Sequence, residues 1–260
     1  CDGADGVKDG VIENPKACHF DYATLTCRGV DGPSCLTASQ VESAKALTSP
    51  FRDSASGRVL LEAHMWPGAE QQWGRLGGPD PLANSVARVR NFHLKDPAWE
   101  PRLTNIAADI ERAVSMDDGL LASNNFNLKP FFDRGGKLLM WHGWSDPQVP
   151  AENSILFLDN VRKTVGAEAK DAIDLFLLPG VSHCGGGPGP DTFDTMEPIT
   201  TWVEQGRRPV QIVASHLTDG KVDRTRPLCP FGQVAQYKGV GSTNDASNFS
   251  CVTDPVATGR

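Results

Sequence analysis

The sequence predicts an α/β fold with a parallel sheet in the second half of the chain. Two compact apolar runs, "GGKLLMWHG" and "AIDLFLLPG", have the length and composition of buried parallel strands. Between them, Ile155, Leu158 and Val161 recur at helical spacing. A strand, a helix and a second strand joined by short loops form a βαβ unit, which implies that the two strands are parallel.

A further helix is predicted after the second strand, in "TMEPITTWVEQGRRP". Thr195 is a candidate N-cap, because its hydroxyl can accept a hydrogen bond from the first turn. Pro198 falls within that turn, where proline is tolerated because the backbone N–H has no helical partner. This helix continues the alternation of strands and helices.

The first half of the chain is less regular. Short helices are predicted over residues 37–51, where Thr37 or Ser39 provides a cap, and over residues 105–121. The stretch between them, residues 52–105, is rich in Gly, Pro and Trp and has weak periodicity. We therefore expect an irregular region ahead of the predicted sheet.

The composition is that of an ordinary globular protein and narrows the range of partners. The chain has 260 residues, which fits one large domain or two modest ones. Its net charge is −7, and its basic residues do not cluster, so neither nucleic acid nor an anionic membrane surface is expected as a partner. No apolar run approaches the roughly 20 residues that span a bilayer.

The seven cysteines indicate an oxidising compartment, so we expect a secreted or periplasmic protein. Six of them form pairs that bracket short loops, namely Cys1 with Cys18, Cys27 with Cys35, and Cys229 with Cys251. Because six cysteines allow fifteen connectivities, these local disulfides are one prediction among alternatives. Cys184 is left over.

An acid and a histidine follow the two predicted strands. Asp146 lies in "HGWSDPQVP" and His183 in "GVSHCGGG". Functional groups in open parallel sheets gather on the loops at the carboxyl ends of strands. An acid followed by a histidine one strand–helix unit later is the closing order of a Ser-His-Asp triad. The alternatives are a turn or helix-cap role for Asp146 and a solvated position for His183.

The nucleophile of such a triad is not found in the sequence. It is expected ahead of the acid, in a G-x-S-x-G turn between a strand and a helix. Residues 1–145 contain no such motif, and only two strands of a hydrolase sheet are recognisable. We therefore expect that the serine lies on a segment that is missing from this chain.

The first loop is rich in acidic residues and glycine. "CDGADGVKDGVIENPKAC" places Asp2, Asp5 and Asp9 at short spacings, with Gly6 and Gly10 available for tight turns. Hard oxygen ligands that converge from one loop suit Ca²⁺. A solvated, turn-rich loop without a metal is the alternative that the spacing alone leaves open.

Five motifs together resemble the tannase/feruloyl esterase family of secreted serine esterases. They are, in chain order, "CDGADGVKDGVIENPKAC", "DPAWEP", "RGGKLLMWHGWSDPQVP", "SHCGGGPGPDTFD" and "DRTRPLCPF". The resemblance extends from about Cys1 to Cys251. It implies the C-terminal part of an α/β-hydrolase sheet in residues 126–260, and an irregular calcium-binding lid domain in residues 1–125.

The resemblance also implies roles for individual residues. Asp146 matches the family's catalytic acid and His183 its general base. Cys184 matches a cysteine that forms a disulfide with a cysteine beside the catalytic serine, so its partner is expected on the missing N-terminal segment. A structural Ca²⁺, distant from the chemistry, is implied for the first loop, with five ligand residues: Asp2, Asp5, Val7, Asp9 and Val11.

The expected function is therefore hydrolysis of aromatic carboxylic esters of the hydroxycinnamoyl or galloyl type. The mechanism would be acyl transfer through the triad. The isolated chain is expected to be inactive. The alternative is a non-catalytic, calcium-braced, disulfide-rich binding domain, and a third interpretation is an enzyme of two chains joined through Cys184. The sequence leaves open which aromatic ester is cleaved, which lid residues select it, and the oligomeric state.

Overall fold

Strands and helices alternate in the second half of the chain, and short elements dominate the first half. The computed structural model describes residues 1–62, 64–75, 80, 82–101, 105–117, 119, 121–122 and 124–256. Within these residues the helices are α1 Ala38–Leu47, α2 Ala83–Arg88, α3 Ile106–Met116, α4 Lys129–Phe132, α5 Glu152–Val165 and α6 Glu197–Gln205. The strands are β1 Phe51–Arg52, β2 Val59–Leu61, β3 Leu138–Gly143, β4 Ile173–Leu178, β5 Ile212–Thr218, β6 Lys221–Leu228, β7 Gln233–Tyr237 and β8 Phe249–Thr253.

The predicted βαβ unit is present as β3, α5 and β4. Strands β3 and β4 pair in parallel, with Leu138 opposite Ile173 and Gly143 opposite Leu178. Every residue of β4 is buried, as expected for a strand that is covered on both faces. Because the strands are parallel and in register, the loops that follow Gly143 and Leu178 leave the same edge of the sheet.

The side chains of β4 alternate between two apolar layers. One face packs on α5, in a cluster that contains Ile155, Leu158 and Val161 from the helix. The opposite face places Phe176 and Leu178 against residues of β5 and β6. The predicted apolar stripe of α5 is thus confirmed, and the sheet is held between a helix and a β-hairpin.

Helix α6 is predicted correctly, but its N-terminal cap is not. The N-cap residue is Met196, which makes no side-chain capping bond. Instead, the Asp194 carboxylate accepts hydrogen bonds from the backbone N–H groups of Met196 and Glu197, at 2.8 and 2.9 Å. Aspartate performs the role that the sequence analysis gave to Thr195, because a carboxylate accepts two N–H donors at once and also favours the positive end of the helix dipole.

Residues 212–253 contain β-structure that the sequence analysis did not predict. Strands β5 and β6 pair antiparallel, and β7 and β8 form a second antiparallel pair. An Asp219-Gly220 turn, with positive φ at both residues, joins the first pair. A bridge between Phe176 and Pro230 connects the hairpins to β4.

The first half contains the two predicted helices and some additional short elements. Helix α1 begins with a capping box, in which Thr37 and Gln40 exchange side-chain and backbone hydrogen bonds. Helix α3 begins after Asn105 and ends at Met116, earlier than predicted. The stretch described as irregular also holds β1, β2 and α2, and α2 continues into a π-helical turn over Val89–His93.

The three predicted local disulfides are confirmed. Bonds join Cys1 to Cys18, Cys27 to Cys35, and Cys229 to Cys251. Cys184 is exposed and has no disulfide partner in this chain. Over the described ranges, none of the helices combines the length and the apolar character that a membrane crossing requires.

Candidate active site

Asp146 is a buried carboxylate on the loop after β3. It is 3% exposed. Its Oδ1 atom accepts hydrogen bonds from the backbone N–H groups of Gln148 and Val149, at 2.8 and 3.0 Å. Its Oδ2 atom lies 2.8 Å from Nδ1 of His183, on the loop after β4. The two residues that the sequence analysis selected are therefore in direct contact.

A second histidine contacts the same carboxylate. Nε2 of His142 lies 2.8 Å from the carbonyl oxygen of Val149 and 3.3 Å from Oδ2 of Asp146. Because a carbonyl oxygen only accepts hydrogen bonds, Nε2 carries the proton and is shared between these two acceptors. Nδ1 of His142 lies 2.7 Å from Oγ of Ser154 on α5, which is free to donate to it.

These hydrogen bonds keep the carboxylate of Asp146 ionised. Burial by itself raises the pKa of this carboxyl. The hydrogen bonds from His142, Val149, His183 and Gln148 lower it by a larger amount, so that the pKa falls to about 2. An ionised Asp146 holds a proton on Nδ1 of His183, which leaves Nε2 as the basic nitrogen. This is the tautomer that a general base needs.

His183 lies on a loop whose backbone folds tightly upon itself. The N–H of Ser182 donates to the carbonyl of Gly186 at 2.9 Å, and the N–H of Gly189 donates to that of Gly180 at 3.2 Å. A Cβ atom on Gly189 would lie only 1.8 Å from the carbonyl oxygen of Pro179. Glycine is therefore required there, because two backbone segments approach too closely for any side chain.

The residue after His183 has a strained backbone. Cys184 has φ = 60°, in the left-handed region that non-glycine residues rarely adopt. Its side chain is exposed beside the histidine. The site therefore combines a partly exposed imidazole with a neighbouring free thiol in a conformation that the surrounding loop must maintain.

A cavity of about 250 Å³ opens in front of His183. Its walls include Trp141 and Val149 from the β3 side, and Ser182, Cys184 and Asp191 from the β4 side. The side chain of His183 is 36% exposed, whereas that of Asp146 behind it is 3% exposed. The histidine can thus reach a ligand in the cavity, whereas Asp146, which also lines it, exposes little of its side chain.

The sequence analysis did not select His142. The available signal was its position four residues before Asp146, at the end of the same strand. Asp191 was not selected at all. Its carboxylate accepts a hydrogen bond from the N–H of Gly186 at 2.6 Å, and no local sequence pattern predicts this contact.

The carboxylates of the first loop bond mainly to their own backbone. Asp2 accepts from the N–H of Asp9, Asp5 from that of Val7, and Asp9 from that of Val11, at 2.9 to 3.1 Å. Over the described part of the chain, no group of three or more His, Cys, Asp or Glu side chains is arranged as metal ligands. The pKa of Asp5 is raised by desolvation, and the charge of Asp9 adds to this effect.

These observations fit a hard cation in part. Three acidic side chains share one loop, and two of them repel each other, as expected of oxygen ligands without their cation. However, Asp9 also forms an ion pair with Arg226. The arginine supplies part of the positive charge that a metal would bring.

The end of the first loop contacts the segment that leads into the histidine loop. Val11 is buried, and its Cγ2 atom would contact a Cβ on Gly180 at 3.1 Å. Gly180 lies three residues before His183. Val11, at the end of the acidic part of this loop, thus packs against the start of the segment that carries the histidine.

Comparison with known proteins identifies the family of the chain. A family model described as "Tannase and feruloyl esterase" matches residues 1–252. Mono(2-hydroxyethyl) terephthalate hydrolase from Piscinibacter sakaiensis is 34% identical over 304 aligned positions, which cover 98% of this chain and 50% of that protein. Feruloyl esterase C from Talaromyces stipitatus is 31% identical, in an alignment that covers 97% of this chain and 51% of that protein.

The fold is also found among solved structures. An esterase from Aspergillus oryzae superposes with a TM-score of 0.87 at 27% identity, over 97% of this chain and 54% of that one. The α/β-hydrolase-like class predicted from sequence is thereby confirmed. The chain spans about half the length of the curated relatives it matches. Since the family model covers nearly all of its residues, the chain belongs to the tannase and feruloyl esterase family.

Proposed function

We propose that this chain provides the acid and the base of a Ser-His-Asp triad that hydrolyses aromatic carboxylic esters. The observation that carries the proposal is the 2.8 Å contact between Nδ1 of His183 and the buried carboxylate of Asp146, with the imidazole at a cavity. The serine would come from a segment ahead of Cys1.

In this mechanism His183 transfers protons and Asp146 supports it. Nε2 of His183 takes the proton from the serine hydroxyl as its oxygen attacks the ester carbonyl. Asp146 keeps the Nδ1 proton in place and stabilises the imidazolium that forms. His183 then gives the proton to the departing alcohol oxygen, which leaves an acyl-serine. A water molecule, deprotonated by the same nitrogen, attacks the acyl-serine. The bond to the serine oxygen then breaks, Nε2 returns the proton to that oxygen, and the carboxylic acid product leaves.

An aromatic acyl group agrees with the cavity and with the relatives. Trp141 and Val149 supply flat and apolar surface beside His183. The matched relatives carry the names feruloyl esterase and mono(2-hydroxyethyl) terephthalate hydrolase. We therefore propose hydroxycinnamoyl, galloyl or terephthaloyl esters as the substrate class.

The test is an esterase assay on two forms of the protein. The 260 residues alone and the product of the complete coding sequence are compared on methyl ferulate, methyl gallate and a terephthalate monoester. We expect turnover only by the complete product. A fluorophosphonate probe followed by peptide mass spectrometry then locates the reactive serine, which we expect outside these 260 residues. Turnover by the 260 residues alone would contradict the assignment of the serine.

The alternative of a non-catalytic binding domain remains an outcome of the same test. It predicts that neither form hydrolyses the esters and that the probe labels no serine. The buried, ionised Asp146 in contact with a partly exposed His183 at a cavity favours catalysis over this alternative, because such pairs are typical of active sites.

We further propose that Cys184 forms a disulfide with a cysteine of the segment that carries the serine. Its exposure beside His183 and the absence of a partner in this chain support the bond. Mass mapping of non-reduced peptides from the complete product tests it. If the complete product were cleaved ahead of Cys1, non-reducing electrophoresis would show a larger species that reducing agent splits. A free Cys184 thiol in the active protein would contradict the proposal.

We propose that the first loop binds Ca²⁺ as a structural ion. The ligands would be the carboxylates of Asp2, Asp5 and Asp9, with carbonyl oxygens of Val7 and Val11. Bound Ca²⁺ supplies charge that the acidic loop lacks. Thermal unfolding with Ca²⁺, with Mg²⁺ and with EGTA tests this, and we expect Ca²⁺ alone to raise Tm by several degrees. The D5N variant should lose the response. A Tm that is indifferent to Ca²⁺ would contradict the proposal.

Two further parts of the interpretation are proposals at the level of the whole protein. We assign residues 1–125 to a lid domain and residues 126–260 to the hydrolase segment. We also propose that the protein is secreted or periplasmic, which the three disulfides support. Limited proteolysis of the complete product tests the boundary, and fractionation of the producing cells tests the location.

A further inference from the structure

Two neighbouring arginines of β6 connect the acidic loop to the C-terminal hairpins. Arg224 and Arg226 both contact Asp9, although each arginine lies more than 200 residues after Asp9 in the chain. Asp9 is almost fully shielded, with a side chain that is 8% exposed. The pair of arginines therefore anchors the acidic loop from one strand, and the two side chains differ in what else they contact.

Arg224 spans the gap between the acidic loop and the histidine loop. One branch of its guanidinium donates to the carbonyl oxygen of Asp9 at 3.0 Å, and the other donates to the carbonyl oxygen of Pro188 at 3.2 Å. The planar, two-branched guanidinium suits this task, because it presents donors in fixed directions to two acceptors. A single side chain thus fixes the separation of the two loops.

Arg226 connects the acidic loop to the C-terminal strands and, within the described residues, does not reach the histidine loop. It forms an ion pair with the carboxylate of Asp9 and donates to the carbonyl of Thr243 at 2.7 Å. Its guanidinium also lies 3.8 Å from the ring centre of Phe249. No contact between Arg226 and the histidine loop is found among the described residues. The two arginines therefore form a natural matched pair for comparison.

A displacement of Pro188 would be transmitted to His183 through backbone contacts. The neighbours of Pro188 are Gly187 and Gly189, and both lie against the segment that leads into the histidine. A Cβ on Gly187 would fall 2.3 Å from the carbonyl oxygen of Gly180. Because such close backbone layers leave no free space, Pro188 and the stretch ahead of His183 move together.

We propose that Arg224 is a positioning residue for His183, and that through it the acidic loop supports the catalytic base. The inference builds on the proposed function, since it concerns the same histidine. Arg224 does not touch the cavity. It acts by holding Pro188, which in turn sets the position of the imidazole relative to Asp146.

The first experiment compares R224Q with R226Q in the product of the complete coding sequence. We expect R224Q to lower kcat about tenfold with KM within about twofold, because a small misplacement of the base affects the chemical step more than binding. R226Q removes the more deeply buried arginine, so it should lower Tm more and kcat less. R224K, which keeps the charge without the fork, should recover Tm but not the full kcat. Losses of kcat that follow the losses of Tm across the three variants would overturn the proposal.

The second experiment reads the position of the histidine without using activity. In histidine-labelled protein the Nδ1 proton that His183 shares with Asp146 gives a downfield NMR signal. We expect R224Q to shift or broaden this signal and R226Q to leave it in place. An unchanged signal in R224Q would overturn the proposal. If the wild-type protein hydrolyses no ester, the proposed function fails, and the NMR signal still decides the role of Arg224.

Discussion

The loops that carry Asp146 and His183 leave the same edge of the sheet, but they are held in different ways. Asp146 is fixed by hydrogen bonds to its own carboxylate, from two backbone N–H groups and two histidines. His183 has one such bond, and its position depends on close backbone packing around Gly180 and Gly189. A buried charge can thus be placed by local donors, whereas an exposed base needs support from the tertiary structure.

The largest effect is expected from removing the charge at the acid. D146N would lose the preference for a proton on Nδ1 of His183, so we expect kcat of the complete enzyme to fall about 10⁴-fold. D194N, which alters only a helix cap outside the cavity, is the control and should change kcat less than twofold. Initial rates on the best ester measure both. A loss of less than tenfold in D146N would show that the carboxylate is not the triad acid.

The backbone packing behind His183 is tested by a single methyl group. G189A places a Cβ 1.8 Å from the carbonyl oxygen of Pro179, so we expect a loss of about 3 kcal/mol or more in the free energy of unfolding. Urea denaturation measures it. Gly29 has open space where a Cβ would be added, so G29A should be close to neutral. Equal stability of the two variants would mean that the histidine loop is not held by backbone contact.

A third test separates the two loops by pH. Glu13, in the first loop, accepts a hydrogen bond from the N–H of Ala235, and burial raises its pKa to about 7 from 4.5. Because its pKa is higher in the folded state, its contribution to stability is complete below about pH 4.5 and is lost as the pH rises through 7. E13Q has no charge to lose, so it should exceed the wild type by about 3 kcal/mol at pH 8 and match it near pH 4.

Urea midpoints at the two pH values measure this difference, with the exposed E42Q variant as the control. The loop that carries Asp146 has the opposite dependence of stability on pH. The pKa of Asp146 is lowered to about 2 from 3.8, so its contribution is present above pH 4 and is lost only as the pH falls through 2. If E13Q showed no advantage at pH 8, the first loop would not carry a buried acid.

The smallest effect is expected at the second histidine. H142Q weakens one of the donors to Asp146, so the pKa of that carboxylate should rise above 2 and kcat should fall about fivefold. S154A removes the contact on the other side of the His142 ring and should have less effect. The low-pH limb of unfolding and the kcat of both variants provide the comparison. A larger loss in S154A would mean that the ring orientation, not the Nε2–H donor, matters.

The sequence alone was sufficient to predict the parts of the molecule that depend on local sequence patterns. The βαβ unit follows from the uninterrupted apolar runs of β3 and β4, and the positions of Asp146 and His183 follow from the polarity of parallel strands. The disulfide pairs follow from short spacing, which limits the chain entropy of closing each loop.

The remaining features depend on contacts that no local pattern reveals. The hairpin of β5 and β6 carries charged residues on its exposed positions, which hid the strands, although the Asp219-Gly220 turn was a usable signal. The bond between Arg224 and Pro188, and the packing of Val11 on Gly180, join segments far apart in the chain. Only the folded backbone brings them together.

The contact of the Gly189 backbone with Pro179 restricts which substitutions the histidine loop can accept. Residues 179–189 cannot accept added side-chain atoms at several positions without displacing His183, so random libraries over this loop would yield mostly unfolded protein. Changes to the cavity are better sought at Trp141 and Val149, which border it from outside the glycine loop.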